Sequence, residues 1–116
     1  MSNIQKIDST KTLSEIVVHG NTIYLAGQVA DDDSLDMLGQ TRQVLANIDE
    51  RLAKVGSDKS KLLSAQIFIK DLAQFDIFNA EWTAWIAGNV PPTRATVQAN
   101  LVNPKWLIEI VVVAAK

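Results

Sequence analysis

Two charged residues in the last quarter of the chain, Arg94 and Glu109, are the side chains best suited to chemistry. An arginine presents a planar fork of donors that matches a carboxylate through two parallel hydrogen bonds. Glu109 lies in the apolar run LIEIVVV, and desolvation there would raise the pKa of its carboxyl towards the range useful for general acid and base catalysis. Together the two side chains could bind a small carboxylate and activate a water molecule.

The composition excludes several other kinds of catalytic site. The chain has no cysteine and a single histidine, His19, which removes thiolate nucleophiles, disulfides, triads that need a second imidazole and multi-histidine metal cages. We interpret His19 as an exposed loop residue and predict no metal site. The acidic stretch Asp31 to Asp33 is interpreted as a solvated loop, with a weak cation site as the alternative.

The charge and hydropathy of the chain bear on its partners. The net charge is −2 and the 11 basic residues are dispersed, which disfavours binding to a polyanion such as nucleic acid. No apolar run approaches the roughly 18 residues needed to span a bilayer, and the N-terminal MSNIQKIDSTK is too polar for a signal peptide. We therefore expect a cytoplasmic protein without nucleic-acid or membrane partners.

The spacing of apolar residues predicts one α+β domain over residues 1–116 with the element order ββαβαββ. Two helices would cover one face of a mixed sheet. Ser34 or Asp33 is expected to cap the first helix and Gly56 to end it. The predicted strands cover residues 14–19, 22–29, 62–69, 93–101 and 106–115, and the predicted helices have apolar stripes running from Leu35 to Val55 and from Phe75 to Ile86.

Alternation along the last two strands predicts where Arg94 and Glu109 point. With a turn at Asn103-Pro104-Lys105, the two strands would form a hairpin that places Gln98 opposite Glu109. The apolar side of strand 93–101 would meet the helices, so Arg94, Gln98 and Glu109 would share the helix-free face. Arg94 and Glu109 would then lie on the order of 13 Å apart, at ~3.3 Å per residue.

The final strand is apolar on both of its faces, although the chain has only two helices. The face of the sheet opposite the helices must therefore be covered as well, most economically by another copy of the chain. The pattern alone predicts a homo-oligomer.

Three segments carry a family resemblance. IFIKDLAQFDIFNAEW at 67–82 and PPTRATVQANLVNPKWLIEIVVVAA at 91–115 resemble the C-terminal signature of the RidA (YjgF) family, and LAGQV at 25–29 resembles its N-terminal Gly-Gln strand. The details are most similar to the YoaB branch. The resemblance implies a chorismate-mutase-like fold, a homotrimer with clefts between subunits, and cofactor-independent hydrolysis of 2-iminopropanoate and 2-iminobutanoate to 2-oxo acids and ammonia, which removes reactive imine and enamine intermediates.

The resemblance also implies roles for individual residues. Arg94 matches the family arginine that binds the substrate carboxylate, and Glu109 matches the glutamate placed to orient or activate water. Asn79 matches an asparagine that lines the same site. Gly27 interrupts a strand pattern, where a glycine predicts a bulge or a close approach by a ligand or a neighbouring chain. We count these four residues as candidate site residues.

Two positions depart from the pattern of the family. Where many of the deaminases have a tyrosine that caps the pocket, this chain has Leu13 or Ser14, and both are carried as candidate substrate-binding residues. Ala26 stands where RidA itself commonly has serine. These departures bear on which substrate would be accepted.

Alternatives remain open on the residues alone. Arg94 could be one member of a structural ion pair at an oligomer interface, and Glu109 could be a solvated or paired carboxylate. The same cleft could bind a 2-oxo acid as a regulatory ligand without catalysis. A chorismate mutase is disfavoured, since that reaction needs several cations and Arg94 is the only arginine in the final two strands.

Overall fold

Residues 3–116, described by a computed structural model, form two helices packed on one face of a six-stranded mixed sheet. The strand order is β1-β2-β3-β6-β4-β5, and only the β4 and β5 pair is parallel. The predicted α+β class is confirmed. The elements are β1 Ile4–Ser9, β2 Ser14–His19, β3 Thr22–Leu25, α1 Met37–Lys54, β4 Leu62–Ile69, α2 Phe75–Ile86, β5 Thr93–Gln98 and β6 Ile108–Ala115, with short 3-10 turns at Lys59–Lys61 and Leu72–Gln74.

The hydrophobic core lies between the two helices and the face of the sheet that they cover. Ile48 from α1, Phe78 from α2, Ile67 from β4 and Ile110 from β6 are all fully buried there. The apolar stripes of the helices and every second residue of the central strands supply this layer, as the periodicity predicts. Burial of these side chains is the main source of the stability of the fold.

The first helix begins two residues later than the sequence indicates. Its N-cap is Asp36, whose carboxylate accepts a hydrogen bond from the backbone N–H of Gly39 at 2.9 Å, so the expected caps Ser34 and Asp33 are wrong. Both are occupied elsewhere: Ser34 donates to Asp32, and Asp33 accepts from Asn103. The predicted end of the helix at Gly56 is confirmed, since this residue has a φ of +77°.

The structure contains one strand that the sequence does not predict. β1 lies at one edge of the sheet and pairs only with β2. All its residues are exposed except the partly buried Ile7, so the alternation of apolar and polar residues that marks a half-buried strand is missing. The order is therefore βββαβαββ.

The predicted hairpin between the last two strands is wrong. β6 is inserted between β3 and β4, and β5 lies beyond β4 at the opposite edge from β1. The segment 99–107 therefore crosses the end of β4. The physical reason is burial: β6 is apolar on both faces and is best placed in the centre of the sheet, whereas β5 carries polar residues on one face and tolerates the edge.

This strand order reverses the predicted faces of β5. Arg94 pairs with Ala65, which is buried under the helices, so Arg94 and Gln98 lie on the helix side of the sheet. Glu109 pairs with Phe68 on the helix-free face. The prediction that Arg94, Gln98 and Glu109 share one face is therefore wrong, because directly paired residues on neighbouring strands point to the same side.

A buried glutamine fastens the crossing segment to the first helix. Gln40 is fully buried, and its amide nitrogen donates to the carbonyls of Leu35 and Lys105, each at 3.0 Å. Its amide oxygen accepts from the N–H of Leu107 at 2.9 Å. One side chain thus satisfies three backbone groups that have no partner in a helix or strand.

Replacing Gln40 by leucine should destabilise the fold strongly. The change keeps the volume but leaves the backbone groups of Lys105 and Leu107 without a partner, which costs about 3 kcal/mol of unfolding free energy. Urea denaturation followed by circular dichroism measures the loss. Gln43→Leu is the matched control: Gln43 makes one bond, to the N–H of Asp32, and should cost less than about 1 kcal/mol. Equal losses in the two variants would show that Gln40 has no special role.

Candidate functional site

The guanidinium of Arg94 lies over aromatic rings of α2. Its Cζ is 5.7 Å from the ring centroid of Phe75, 5.6 Å from that of Phe78 and 5.7 Å from that of Trp82. One terminal nitrogen donates to the amide oxygen of Asn79 at 2.7 Å. The negative ring faces and the amide oxygen attract the cation and hold its plane in one orientation. Two candidate residues predicted from the sequence, Arg94 and Asn79, are therefore in direct contact.

The charge of Arg94 has no carboxylate partner within the described chain. The ion pairs among residues 3–116 join Arg42 to Glu81, Arg51 to Glu15 and Lys54 to Asp8. Arg94 is exposed, and its remaining donors face away from the hydrogen bond to Asn79. An oriented guanidinium without an acidic partner is suited to bind a carboxylate from a ligand.

Glu109 is packed against the backbone of Gly27. A Cβ atom built on Gly27 would overlap the Glu109 carboxylate, so any other residue at position 27 would force this side chain to move. The close approach that a glycine within a strand predicts is made by a side chain of the same molecule. Gly27 and Glu109 thus form a second pair of candidate residues, on the helix-free side.

Apolar surroundings raise the pKa of Glu109. The carboxyl is partly buried, and loss of solvation is the cause of the shift, as the apolar sequence context predicts. Its direct neighbour across the ladder is Phe68. Among residues 3–116 it has neither a salt bridge nor a side-chain hydrogen bond. Such a carboxyl keeps its proton to a higher pH than an ordinary glutamate does, which suits a group that must both accept and donate a proton.

Gln28 belongs to the Gly-Gln motif of the sequence, but its supporting role is visible only in the structure. Its backbone exchanges both hydrogen bonds with Ile110, at 2.8 and 3.1 Å, and its buried amide donates to the carbonyl of Ala26 at 2.8 Å. These bonds hold the residues on either side of Gly27 while β6 carries Glu109 next to Ile110. Glutamine is usually a surface residue, so the sequence signals for this role are the Gly-Gln motif and the apolar residues around it.

Leu13 and Ser14 lie elsewhere on the molecule. Leu13 lies in the turn between β1 and β2 and is 51% exposed, and Ser14 is the first residue of β2, where its hydroxyl bonds to that of Ser9 at 2.7 Å. Four strand spacings separate β2 from β5, or about 19 Å at ~4.8 Å each. Within one chain these two residues do not join Arg94.

Carboxylates of the acidic loop, Asp31 to Asp33, accept hydrogen bonds from other residues of the same chain. Asp32 accepts from the hydroxyl and N–H of Ser34, which lowers the pKa of its carboxyl, and Asp31 accepts from Asn47. Residues 3–116 contain no group of three or more His, Cys, Asp and Glu side chains that could hold a metal ion. His19 is exposed at the end of β2. In the same part of the chain, no helix has the length and apolarity to cross a membrane.

Comparison with known proteins identifies relatives over nearly the whole chain. A family model described as Endoribonuclease L-PSP matches residues 3–116. A RutC family protein of Haemophilus ducreyi is 43% identical over 97% of this chain and 96% of its own, and the RutC family protein YoaB of Escherichia coli is 44% identical over 97% of each chain. The chain belongs to the RidA/YjgF family. A crystal structure of a YjgF family member from Neisseria meningitidis, 38% identical, superposes with a TM-score of 0.94 over 98% of this chain and 95% of its own.

In this RidA/YjgF protein, the candidate residues form two groups on opposite faces of the sheet. Arg94 and Asn79 lie on the helix side, and Glu109 and Gly27 lie on the other. Between β5 and β6 lies β4, so the two groups are also separated by two strand spacings of ~4.8 Å. One chain therefore cannot bring Arg94 and Glu109 to the same small ligand.

The raised pKa of Glu109 makes stability depend on pH in a defined direction. Above the ordinary value of 4.5, the folded chain holds a proton that the unfolded chain has lost, so stability falls as pH rises through the pKa of the folded state. Glutamine cannot titrate, so Glu109→Gln lacks this loss of stability. The unfolding free energy of Glu109→Gln minus that of the wild type should therefore increase as pH is raised from about 4 to about 7.

Urea denaturation of both proteins at several pH values measures this difference. Glu50→Gln, which removes an exposed glutamate of α1, controls for the loss of one surface charge. A constant difference between Glu109→Gln and the wild type over the pH range would contradict the raised pKa.

Proposed function

We propose that this protein hydrolyses small 2-imino acids, such as 2-iminopropanoate and 2-iminobutanoate, to 2-oxo acids and ammonia. The observation that carries the proposal is Arg94, whose guanidinium is oriented by Asn79 and three aromatic rings and has no carboxylate partner among residues 3–116. Every 2-imino acid has a carboxylate next to its reactive carbon. Binding that carboxylate places the imine carbon at a defined distance from the guanidinium.

The proposed site is built from two copies of the chain, because one copy carries Arg94 and Glu109 on opposite faces. The helix-free face exposes apolar side chains, including Tyr24 at 48% and Val97 at 47% exposure. An exposed apolar surface of this kind is suited to pack against a second copy of the chain. In a homotrimer with clefts between subunits, one copy would supply Arg94 and Asn79. The next copy would supply Glu109 and Gly27, with Leu13 and Ser14 at the rim.

Hydrolysis of an imine requires only a few functional groups from the protein. Arg94 binds the carboxylate, and the ionised carboxylate of Glu109 accepts a proton from water as its oxygen attacks the carbon of the protonated imine (C=NH2+). The resulting tetrahedral carbon bears a hydroxyl and an amino group. Glu109 gives the proton to the amino nitrogen, the carbon–nitrogen bond breaks to release ammonia, and the hydroxyl proton passes to the carboxylate of Glu109 and from there to solvent, which leaves the 2-oxo acid. Because imines also hydrolyse in water, positioning and one acid–base group are sufficient.

The site needs no bound group beyond these residues. The reaction adds one water and releases one ammonia, with no change in oxidation state, and the proton moves through a carboxyl whose pKa lies above its usual range. We therefore propose an activity without metal or organic cofactor. RNA is not the proposed substrate, since the chain carries a net charge of −2 and a single histidine.

Substitution of Arg94 tests the proposal. The imine is generated in the assay from alanine by an amino acid oxidase, and its disappearance is followed with and without the protein. Arg94→Ala should lower kcat/KM roughly 10- to 100-fold, the value of hydrogen bonds to a charged partner. Arg42→Ala, which removes an arginine paired with Glu81 on the helix layer, should leave it unchanged.

Two results would contradict the proposal: no acceleration by the wild type, or full activity in Arg94→Ala. The binding alternative is separated by titration with 2-oxobutanoate. A rise in melting temperature that Arg94→Ala abolishes, without turnover of any imine, would identify a metabolite-binding protein that uses the same residues.

A further inference from the structure

A cleft of about 360 Å³ opens beside Arg94, between α2 and the segment that leads into β5. Its floor is formed by Trp82 and Ile86, and its opposite wall by Pro91 and Pro92, with Thr83 at the rim. The volume lies within the range of small-molecule sites, which begins at about 300 Å³. The cleft shares Arg94 and Asn79 with the carboxylate site.

Beyond Arg94, Asn79 and Thr83, the cleft is lined by the apolar residues Trp82, Ile86, Pro91 and Pro92. The hydroxyl of Thr83 already donates to the backbone carbonyl of Asn79 at 2.7 Å, and the amide oxygen of Asn79 is taken by Arg94. The other walls are rings and an aliphatic side chain. A ligand whose anionic group binds Arg94 would therefore place its remaining atoms against apolar side chains.

The walls are also rigid. Trp82 is 4% and Ile86 7% exposed, so both are held by the core. The two prolines restrict the backbone of the facing wall. A cleft that is already formed loses little conformational entropy when an apolar group enters it. The favourable free energy of removing that group from water therefore contributes almost fully to the binding free energy.

We propose that this cleft receives the side chain of the substrate, and that the site prefers 2-imino acids with branched or aromatic apolar side chains over the one derived from alanine. The inference rests on the proposed role of Arg94 as the carboxylate anchor. In a 2-imino acid the side chain leaves the carbon next to the carboxylate, which matches a cation at one end of an apolar cleft. Burial of each added CH2 favours binding roughly fourfold.

Binding of the 2-oxo acid products tests the preference without any need for turnover. Isothermal titration compares pyruvate with 4-methyl-2-oxopentanoate, which carries three more carbon atoms. The wild type should bind the larger acid roughly 10- to 50-fold more tightly. Kinetics with the imines generated from alanine and leucine should show the same preference in kcat/KM.

A cleft-filling variant provides the decisive comparison. Thr83 is exposed on α2, so Thr83→Phe can place a ring at the rim of the cleft without disturbing the core. It should lower the affinity for 4-methyl-2-oxopentanoate at least about 10-fold more than the affinity for pyruvate. Ala80→Phe adds the same ring at an exposed α2 position outside the cleft and should keep the wild-type preference.

Equal binding of the two acids by the wild type, an unaltered preference in Thr83→Phe, or absence of binding by either acid would overturn the inference. The proposed catalysis can fail separately. If the larger 2-oxo acid binds preferentially but no imine is hydrolysed, the cleft assignment stands and the hydrolysis is wrong. If alanine- and leucine-derived imines are hydrolysed equally well, the hydrolysis stands and the cleft assignment is wrong.

Discussion

The apolar character of β6 on both of its faces is the constraint on which the rest of the structure depends. Its inner residues, Ile108, Ile110 and Val112, are buried under the helices, and its outer residues are partly buried between β3 and β4. A strand of this kind is most stable in the middle of a sheet. Its insertion there forces β5 to the edge and requires the crossing segment that Gln40 holds in place. The same insertion puts Arg94 and Glu109 on opposite faces.

Neighbouring residues that do not take part in the proposed chemistry determine the orientation of Arg94 and the position of Glu109. Asn79 and three aromatic rings orient Arg94, and the missing side chain of Gly27 makes room for Glu109. Neither charge is neutralised by a partner within residues 3–116. Arg94 and Glu109 thus lie without partners on the two faces of one sheet. Association of two copies would bring Arg94 of one copy close to Glu109 of the other, so this arrangement suits a ligand that is bound between copies.

Much of the fold follows from local patterns in the sequence, and the errors have a common physical origin. The limits of β4 and α2 were predictable to the residue, because apolar runs bounded by polar or proline residues mark them. β1 carries no alternation, since it lies exposed at an edge. The pairing of β5 depends on which strand occupies the centre of the sheet, and that is decided by long-range burial and not by the nearest turn.

The candidate site was predictable in its residues but not in its assembly. Family resemblance and chemistry together indicate Arg94, Asn79 and Glu109, and the contact between Arg94 and Asn79 is present at 2.7 Å. Their division between two faces is a property of the sheet order. Buried amides such as Gln28 and Gln40 were missed because glutamine is usually a surface residue, and only the fold shows which backbone groups require it.

The central claim, that each site combines Arg94 of one copy with Glu109 of another, is tested most directly by mixing two impaired variants. Arg94→Ala and Glu109→Gln are each prepared, unfolded and refolded together in equal amounts, and imine hydrolysis is measured. In a cyclic assembly with random mixing, about a quarter of the sites regain both residues, so the mixture should recover about a quarter of the wild-type activity, above the roughly one tenth or less expected of each variant alone. A mixture no more active than its components, with mixed oligomers verified by mass spectrometry, would contradict the shared site.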